Sequence, residues 1–198
     1  MSRPLTIVLL LSQLVFFLLM PIWFELTSYL HPIVIVVVWF CFTSFIFFAV
    51  CWLTDEKILI SPVILHAVIY LYLGSLLVLL FFRPANQTYG TISLLPFETI
   101  LYYLFGEVSF LVSFYNLAAN IGLFIPFGVY YRYITMKASF PILLGFAIVA
   151  ICLIEGLQFI TKRGSLDIDD LILNVGGICL GYWLQPIVKK IVLVSKKE

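Results

Sequence analysis

Charge is scarce in this chain: of 198 residues only 11% are Asp, Glu, Lys or Arg, 64% are hydrophobic, and the mean hydropathy is +1.17. So few charges cannot solvate a globular surface of that size, which excludes the soluble classes. No basic run lies on a polar face and the formal net charge is +1. The phosphate contacts of a nucleic-acid binder therefore have no source, and no nucleic acid is expected as a partner. Histidine is nearly absent, with His31 alone before the second apolar run and His66 inside the third. There is no HExxH zinc motif and no nucleophile elbow. The four cysteines, Cys41, Cys51, Cys152 and Cys179, lie inside apolar runs without CxxC spacing, and read as small packing residues.

What is abundant is long apolar sequence, and a helix needs about 20 such residues to cross the hydrocarbon core. Runs at Leu5–Phe24, Ile33–Leu53, Ile58–Phe82, Leu111–Tyr131, Phe140–Ile160 and Ile168–Val188 predict an all-α, polytopic transmembrane helical bundle of about six spans. The first run follows Arg3 as a signal peptide would. It reaches Met20-Pro21-Ile22-Trp23 without a small-residue cleavage site, so it is read as an uncleaved anchor. Between spans three and four, Phe97, Ile100, Leu101 and Leu104 recur at helical spacing. That pattern predicts a short interfacial or re-entrant helix, with Pro96 in its first turn and Gly106 ending it. Residues 1–82 then hold three N-terminal spans, 83–188 three more, and 189–198 a basic tail.

Lysine and arginine near span ends resist export, and their distribution orients the chain. Arg3, Lys57, Arg132, Lys137, Lys189, Lys190, Lys196 and Lys197 share one side, against Arg83, Lys162 and Arg163 on the other. Both termini are expected in the cytoplasm, with Thr135 inside and Gly164 outside. Most carboxylates, including Glu98, Glu107, Glu155, Asp167, Asp169 and Asp170, then fall at the outer end.

Glu155 and Gln158 are three apart on one face of span five, with Glu155 about 7–8 Å inside the helix end at 1.5 Å per residue. A carboxylate at that depth usually faces protein or an aqueous cavity, which makes Glu155 a site candidate; a buried ion pair with Arg163 is the structural alternative. In span six, Asp167, Asp170, Asn174, Gly177 and Gly181 form one stripe. The glycines admit a close helix, and the acidic turn suits capping and the helix dipole. Neither role explains Asn174, whose amide must be satisfied a turn deeper. In span four, Asn116 and Asn120 share a face, and Pro126 removes the donor that the Gly122 carbonyl would use.

Arg83 and Asn86, then LLPFETI, NIGLFIPFG, EGLQ, KRG and DIDDLILNVGG followed by Gly181, form an ordered series that resembles the VanZ-like family of bacterial membrane proteins. It extends from about Arg83 to Trp183, and residues 83–188 are read as a VanZ-like domain. The positions carried over by resemblance are Arg83, Pro96, Phe97, Asn120, Pro126, Gly128, Glu155, Gln158, Arg163, Asp167, Asp169, Asp170 and Asn174. The resemblance implies a multi-pass protein of the bacterial cytoplasmic membrane, near cell-envelope chemistry and linked to teicoplanin-type glycopeptide and lipoglycopeptide resistance.

Two readings of the outer polar pocket lead. In the first it binds an amphiphile, a glycopeptide antibiotic or a cell-wall lipid, with Arg83 and Arg163 meeting anionic groups and Asn120, Glu155, Gln158, Asp167, Asp169, Asp170 and Asn174 lining the site. In the alternative the chain is a membrane enzyme on a lipid-linked envelope substrate. Glu155, Asp170 or Asp167 would then be the base, around a divalent metal held by Asp167, Asp170 and Asn174. A proton-coupled transporter is a third reading, without the inverted repeat usual for that class. The sequence names no particular cofactor and leaves the metal of the enzyme reading open, and the partner implied throughout is the lipid bilayer.

Overall fold

The computed structural model describes residues 3–26, 33–81 and 92–195; Arg83, Asn86 and His31 lie outside them. The described chain is mostly helical and divides into two compact units, Met1–Leu59 with Lys189–Leu193, and Ile60–Val188 with Val194–Glu198.

In the first unit, α1 (Arg3–Leu18) and α2 (Met20–Leu26) precede α3 (Ile33–Leu53). The first apolar run is therefore not one continuous helix: it divides at Leu19, where Pro21 withholds the N–H that would have reached back to Phe17. Phe16, 1% exposed, stacks on Trp23 with centroids 5.6 Å apart and meets Phe42 at 5.9 Å. Gln13, a polar residue in an apolar helix, is satisfied by Thr43 (3.1 Å) and by the Trp39 indole N–H. Cys51 and Ile191 form a small buried cluster.

The second unit holds α4 (Pro62–Phe81), α5 (Glu98–Phe105), α6 (Phe110–Gly122), α7 (Ile125–Ile134), α8 (Phe140–Ile160) and most of α9 (Ile168–Ile191). Short strands β1 (Ile58–Ile60) and β4 (Val192–Val194) pair, as do β2 (Ile92–Ser93) and β3 (Leu166–Asp167). The third apolar run begins as strand β1, and its helix starts only at Pro62, where the Ser61 hydroxyl accepts from Ile64 N at 3.2 Å. At the other end of the chain, α9 carries Lys189 and Lys190 in its last turn, where the dipole favours cations.

Among the described residues, four helices are long and apolar enough to cross a membrane: Pro62–Phe81, Val112–Ile134, Phe140–Ile160 and Ile168–Ile191. The shorter apolar helix Thr6–Leu18 belongs to the first unit. Side chains such as Leu71, 74% exposed, and Phe146, 70% exposed, point away from the bundle, as lipid-facing residues do.

The core of this unit is Leu76, Leu80, Phe124, Leu143, Ala147, Ile151 and Ile178. Its tightest seam runs between α9 and the α6–α7 pair. A Cβ on Gly177 would overlap the Ile121 carbonyl, one on Gly181 the Ile125 carbonyl, and one on Gly128 the Ile178 carbonyl. The glycine stripe thus brings the two backbones into contact. At the break before Pro126, Phe127 N bonds to Phe124 O at 3.2 Å in a tightened turn. The Leu123 carbonyl, which Phe127 would otherwise have served, accepts from Tyr72 Oη at 2.8 Å. His66 is held by Tyr130 Oη at 2.8 Å, a satisfied intramembrane histidine.

Candidate functional site

Polar side chains converge where α8 ends and α9 begins. The end of α8 is closed by a Schellman motif: Arg163 N bonds to Gln158 O (2.8 Å) and Lys162 N to Phe159 O (3.1 Å), with Lys162 left-handed at φ 55°. The chain then forms β3, which pairs in parallel with β2 in the register Ile92↔Leu166 and Ser93↔Asp167. That ladder delivers α5 to the start of α9.

The three aspartates there do different work. Asp167 Oδ1 accepts from Asp169 N at 2.9 Å, capping α9, while its Oδ2 accepts from Thr99 Oγ1 at 2.7 Å. Asp169 is fully buried, at 0% exposure, and serves a different helix from its own: Oδ1 accepts from Phe97 N at 2.6 Å and Oδ2 from Ile100 N at 3.0 Å. The free amides at the start of α5 thus meet a carboxylate supplied 72 residues downstream. Phe97 is the residue before α5 and is left-handed at φ 68°, a conformation costing about 1–2 kcal/mol for a non-glycine residue. The Asp169 bond to its N–H holds it there. Pro96 accordingly lies outside α5 rather than in its first turn, whereas Gly106 caps the C-terminus.

Asp170 points the other way, to α6, where it accepts from Asn120 Nδ2 at 2.6 Å. Asn116 spends its amide on its own helix, donating to Val112 O at 2.8 Å. Tyr103 on α5 approaches the same carboxylates. Burial raises its phenol above the usual value, and the negative charges of Asp170 and Asp167, with Tyr102, raise it further. Below Asp170 on the α9 stripe, Asn174 is 4% exposed and its Oδ1 has no hydrogen-bond partner among the described residues; Ser113 Oγ on α6 is in the same condition.

On α8, Glu155 (6% exposed) and Gln158 (2%) continue the buried stripe of Ala147 and Ile151, so both face the bundle interior. Gln158 Nε2 donates to Leu80 O at 3.0 Å, closing the carbonyl end of α4. Gly164 is packed against Gln158, and the Arg163 side chain is exposed. Arg83 lies outside the described residues.

An open cavity of about 360 Å³ is lined by Ser93, Glu98, Thr99, Tyr102, Ser165 and Asp167. Of the predicted site residues the structure brings together Asp167 with Asp169, and Asp170 with Asn120. Thr99 and Tyr103 join them without having been singled out. Thr99 sits on a polar face of the short helix, and Tyr103 resembles any interface aromatic, so neither stands out in sequence. No group of three or more His, Cys, Asp and Glu that could hold a metal occurs among the described residues.

No curated protein and no solved structure matches the chain. A family model does: the one described as VanZ/LLP1 matches residues 68–189, from within α4 to the last turn of α9. That segment contains α5, the α6–α7 break, the Asp167–Asp170 turn and the glycine seam. This chain is a membrane protein of the VanZ/LLP1 family.

Proposed function

We propose that this protein binds the headgroup of an amphiphile, a glycopeptide antibiotic or a cell-wall lipid, at the outer face of the bacterial cytoplasmic membrane, and so contributes to teicoplanin-type resistance. The observation that carries this reading is that half-buried polar groups from α5, α6 and α9 meet at one end of an otherwise apolar bundle, beside an open cavity of about 360 Å³. That volume is within the usual range for a small-molecule site. The exposed guanidinium of Arg163 supplies donors for anionic groups next to that end, and Arg83 is assigned the same role by resemblance. Asp167 Oδ2 and both oxygens of Asp169 are directed to the start of α5, and Asp167 Oδ1 caps α9, which favours a built binding platform over a pair of free bases. Resistance linkage rests on the family.

The test is susceptibility of a sensitive strain expressing the protein. Intact protein is expected to raise the inhibitory concentration of teicoplanin more than that of vancomycin, which lacks the acyl tail. Glu155→Gln, which keeps shape but not charge, and Asp170→Asn are expected to abolish the increase while accumulating normally in the membrane. Full resistance from both variants would remove these carboxylates from the function. Loss of Glu155→Gln protein from the membrane would assign Glu155 to folding.

A further inference from the structure

The open cavity beside the start of α9 has a lining chemistry that folding does not use up. It lies wholly within the second unit, with Ser93 from β2, Glu98, Thr99 and Tyr102 from α5, Ser165 just before β3 and Asp167 from β3. Four of these six side chains end in a hydroxyl and two in a carboxylate, and none of the six is cationic. Ser93 Oγ donates to Glu98 Oε2 at 3.3 Å, and Thr99 Oγ1 donates to Asp167 Oδ2 at 2.7 Å. Those two hydroxyls have spent their single proton and keep their lone pairs, so the wall is rich in acceptors. The Ser165 and Tyr102 hydroxyls have no bond among the described residues and keep their protons to give. Tyr102 is 59% exposed and its ring is set against Tyr103, with centroids 5.6 Å apart, so the same cavity also carries an aromatic surface.

We infer that this cavity is the subsite for an uncharged saccharide ring in the headgroup of the bound amphiphile. The inference rests on the amphiphile-binding reading and names the chemistry of the headgroup. Each sugar hydroxyl both donates and accepts, so one ring offers several donors to the Glu98 and Asp167 oxygens and acceptors to Ser165 and Tyr102. Bonds to the carboxylates are charge-assisted without any charge on the ligand. One face of a pyranose is mostly C–H, and the Tyr102 ring gives it a rigid surface at small entropic cost. The competing chemistries fit less of the lining. A phosphate or carboxylate would meet like charge at Glu98 and Asp167 and no cation among the lining residues. An ammonium has three donors and no acceptor, which wastes the Ser165 and Tyr102 protons. An acyl chain would turn hydrocarbon toward both carboxylates. Arg163, exposed at the end of α8, stays available for an anionic group elsewhere on the same ligand.

The experiment titrates the full chain in phosphatidylcholine nanodiscs with decyl glucoside, decyl galactoside, decanol, decyl phosphate and decylammonium, subtracting partition into empty nanodiscs. At least one glycoside is expected to bind saturably and about tenfold more tightly than decanol, the scale of one or two net hydrogen bonds. Tyr102→Ala is expected to erase that preference and Tyr102→Phe to keep most of it, both without loss of thermal stability, because the side chain is largely exposed. Glu98→Gln keeps an acceptor but not the charge; it is expected to weaken glycoside binding about threefold with decanol unchanged, and it serves where Tyr102→Ala fails to accumulate. Saturable binding that ignores the headgroup, a preference for the phosphate or the ammonium over both glycosides, or a glycoside preference that survives Tyr102→Ala overturns the inference and leaves the amphiphile reading standing. A glycoside preference that vanishes on chelation of divalent ions overturns direct recognition in favour of a metal-bridged ligand. Absence of saturable binding by every probe refutes the amphiphile reading itself, and this inference with it.

Discussion

Removing the Asp169 carboxylate tests whether α5 is held at its N-terminus from α9. Asp169 is fully buried and accepts from two α5 amides, at 2.6 and 3.0 Å. A hydrogen bond to a charged group contributes about 1.5–3 kcal/mol, and water recovers part of that when α5 lifts, so Asp169→Ala is expected to cost roughly 2–4 kcal/mol against local opening. In exchange terms this is a rise of roughly 30- to 1000-fold in the hydrogen–deuterium exchange of the Phe97 and Ile100 amides in detergent micelles. Asp169→Asn keeps one acceptor and turns an NH₂ toward the other amide, so about half the effect is expected. Exchange in the core of α8, at Ala147 and Ile151, is expected to stay as in the parent, because the loss is local. Unchanged exchange at Phe97 and Ile100 in Asp169→Ala would refute the assignment of Asp169 as the anchor of α5.

The glycine seam makes a paired prediction: Gly177→Ala drives a methyl group into the Ile121 carbonyl and is expected to cost about 1–3 kcal/mol in thermal unfolding, whereas Gly176→Ala, with open space around it, is expected to cost nothing measurable. Tyr103 is expected to ionise above the ordinary phenol range, and Asp170→Asn to lower that value part of the way without removing the larger effect of burial; alkaline difference absorbance against Tyr103→Phe reads both. For orientation, Lys162→Cys is expected to react with an impermeant thiol reagent from outside and Met136→Cys only after permeabilisation, in a chain lacking Cys41, Cys51, Cys152 and Cys179; the reverse pattern inverts the topology. Both reporters are exposed, whereas Gly164, the natural choice from sequence, is packed on Gln158.

Elements built from one physical rule were readable in sequence. The limits of α8 coincide with its apolar run, Phe140–Ile160, because apolarity alone sets the length of a spanning helix, and the bounds of the helix α3 match the run Ile33–Leu53. The Gly177–Gly181 stripe announced a close helix by its spacing. What stayed hidden depended on partners distant in the chain. Asp169 looked like a cap for its own helix, since first-turn acids usually are. Its actual targets, Phe97 and Ile100, become visible only once β2 and β3 are paired. Gln158 read as a ligand group, and its donation to Leu80 O depends on how α4 and α8 pack. The division of α1 from α2 was available from Pro21 and was masked by the continuity of the apolar run.

The anchoring of α5 also orders events during synthesis. An isolated helix of 8 residues is far below the length at which helices persist in water, and the groups that hold this one are Asp167 and Asp169 and the β3 strand. All of them leave the ribosome some 70 residues later, after α6, α7 and α8. The segment from Ile92 to Phe105 must therefore wait, uncapped, until α9 is made, and a chain truncated before Leu166 would carry its earlier helices yet never assemble this end of the bundle.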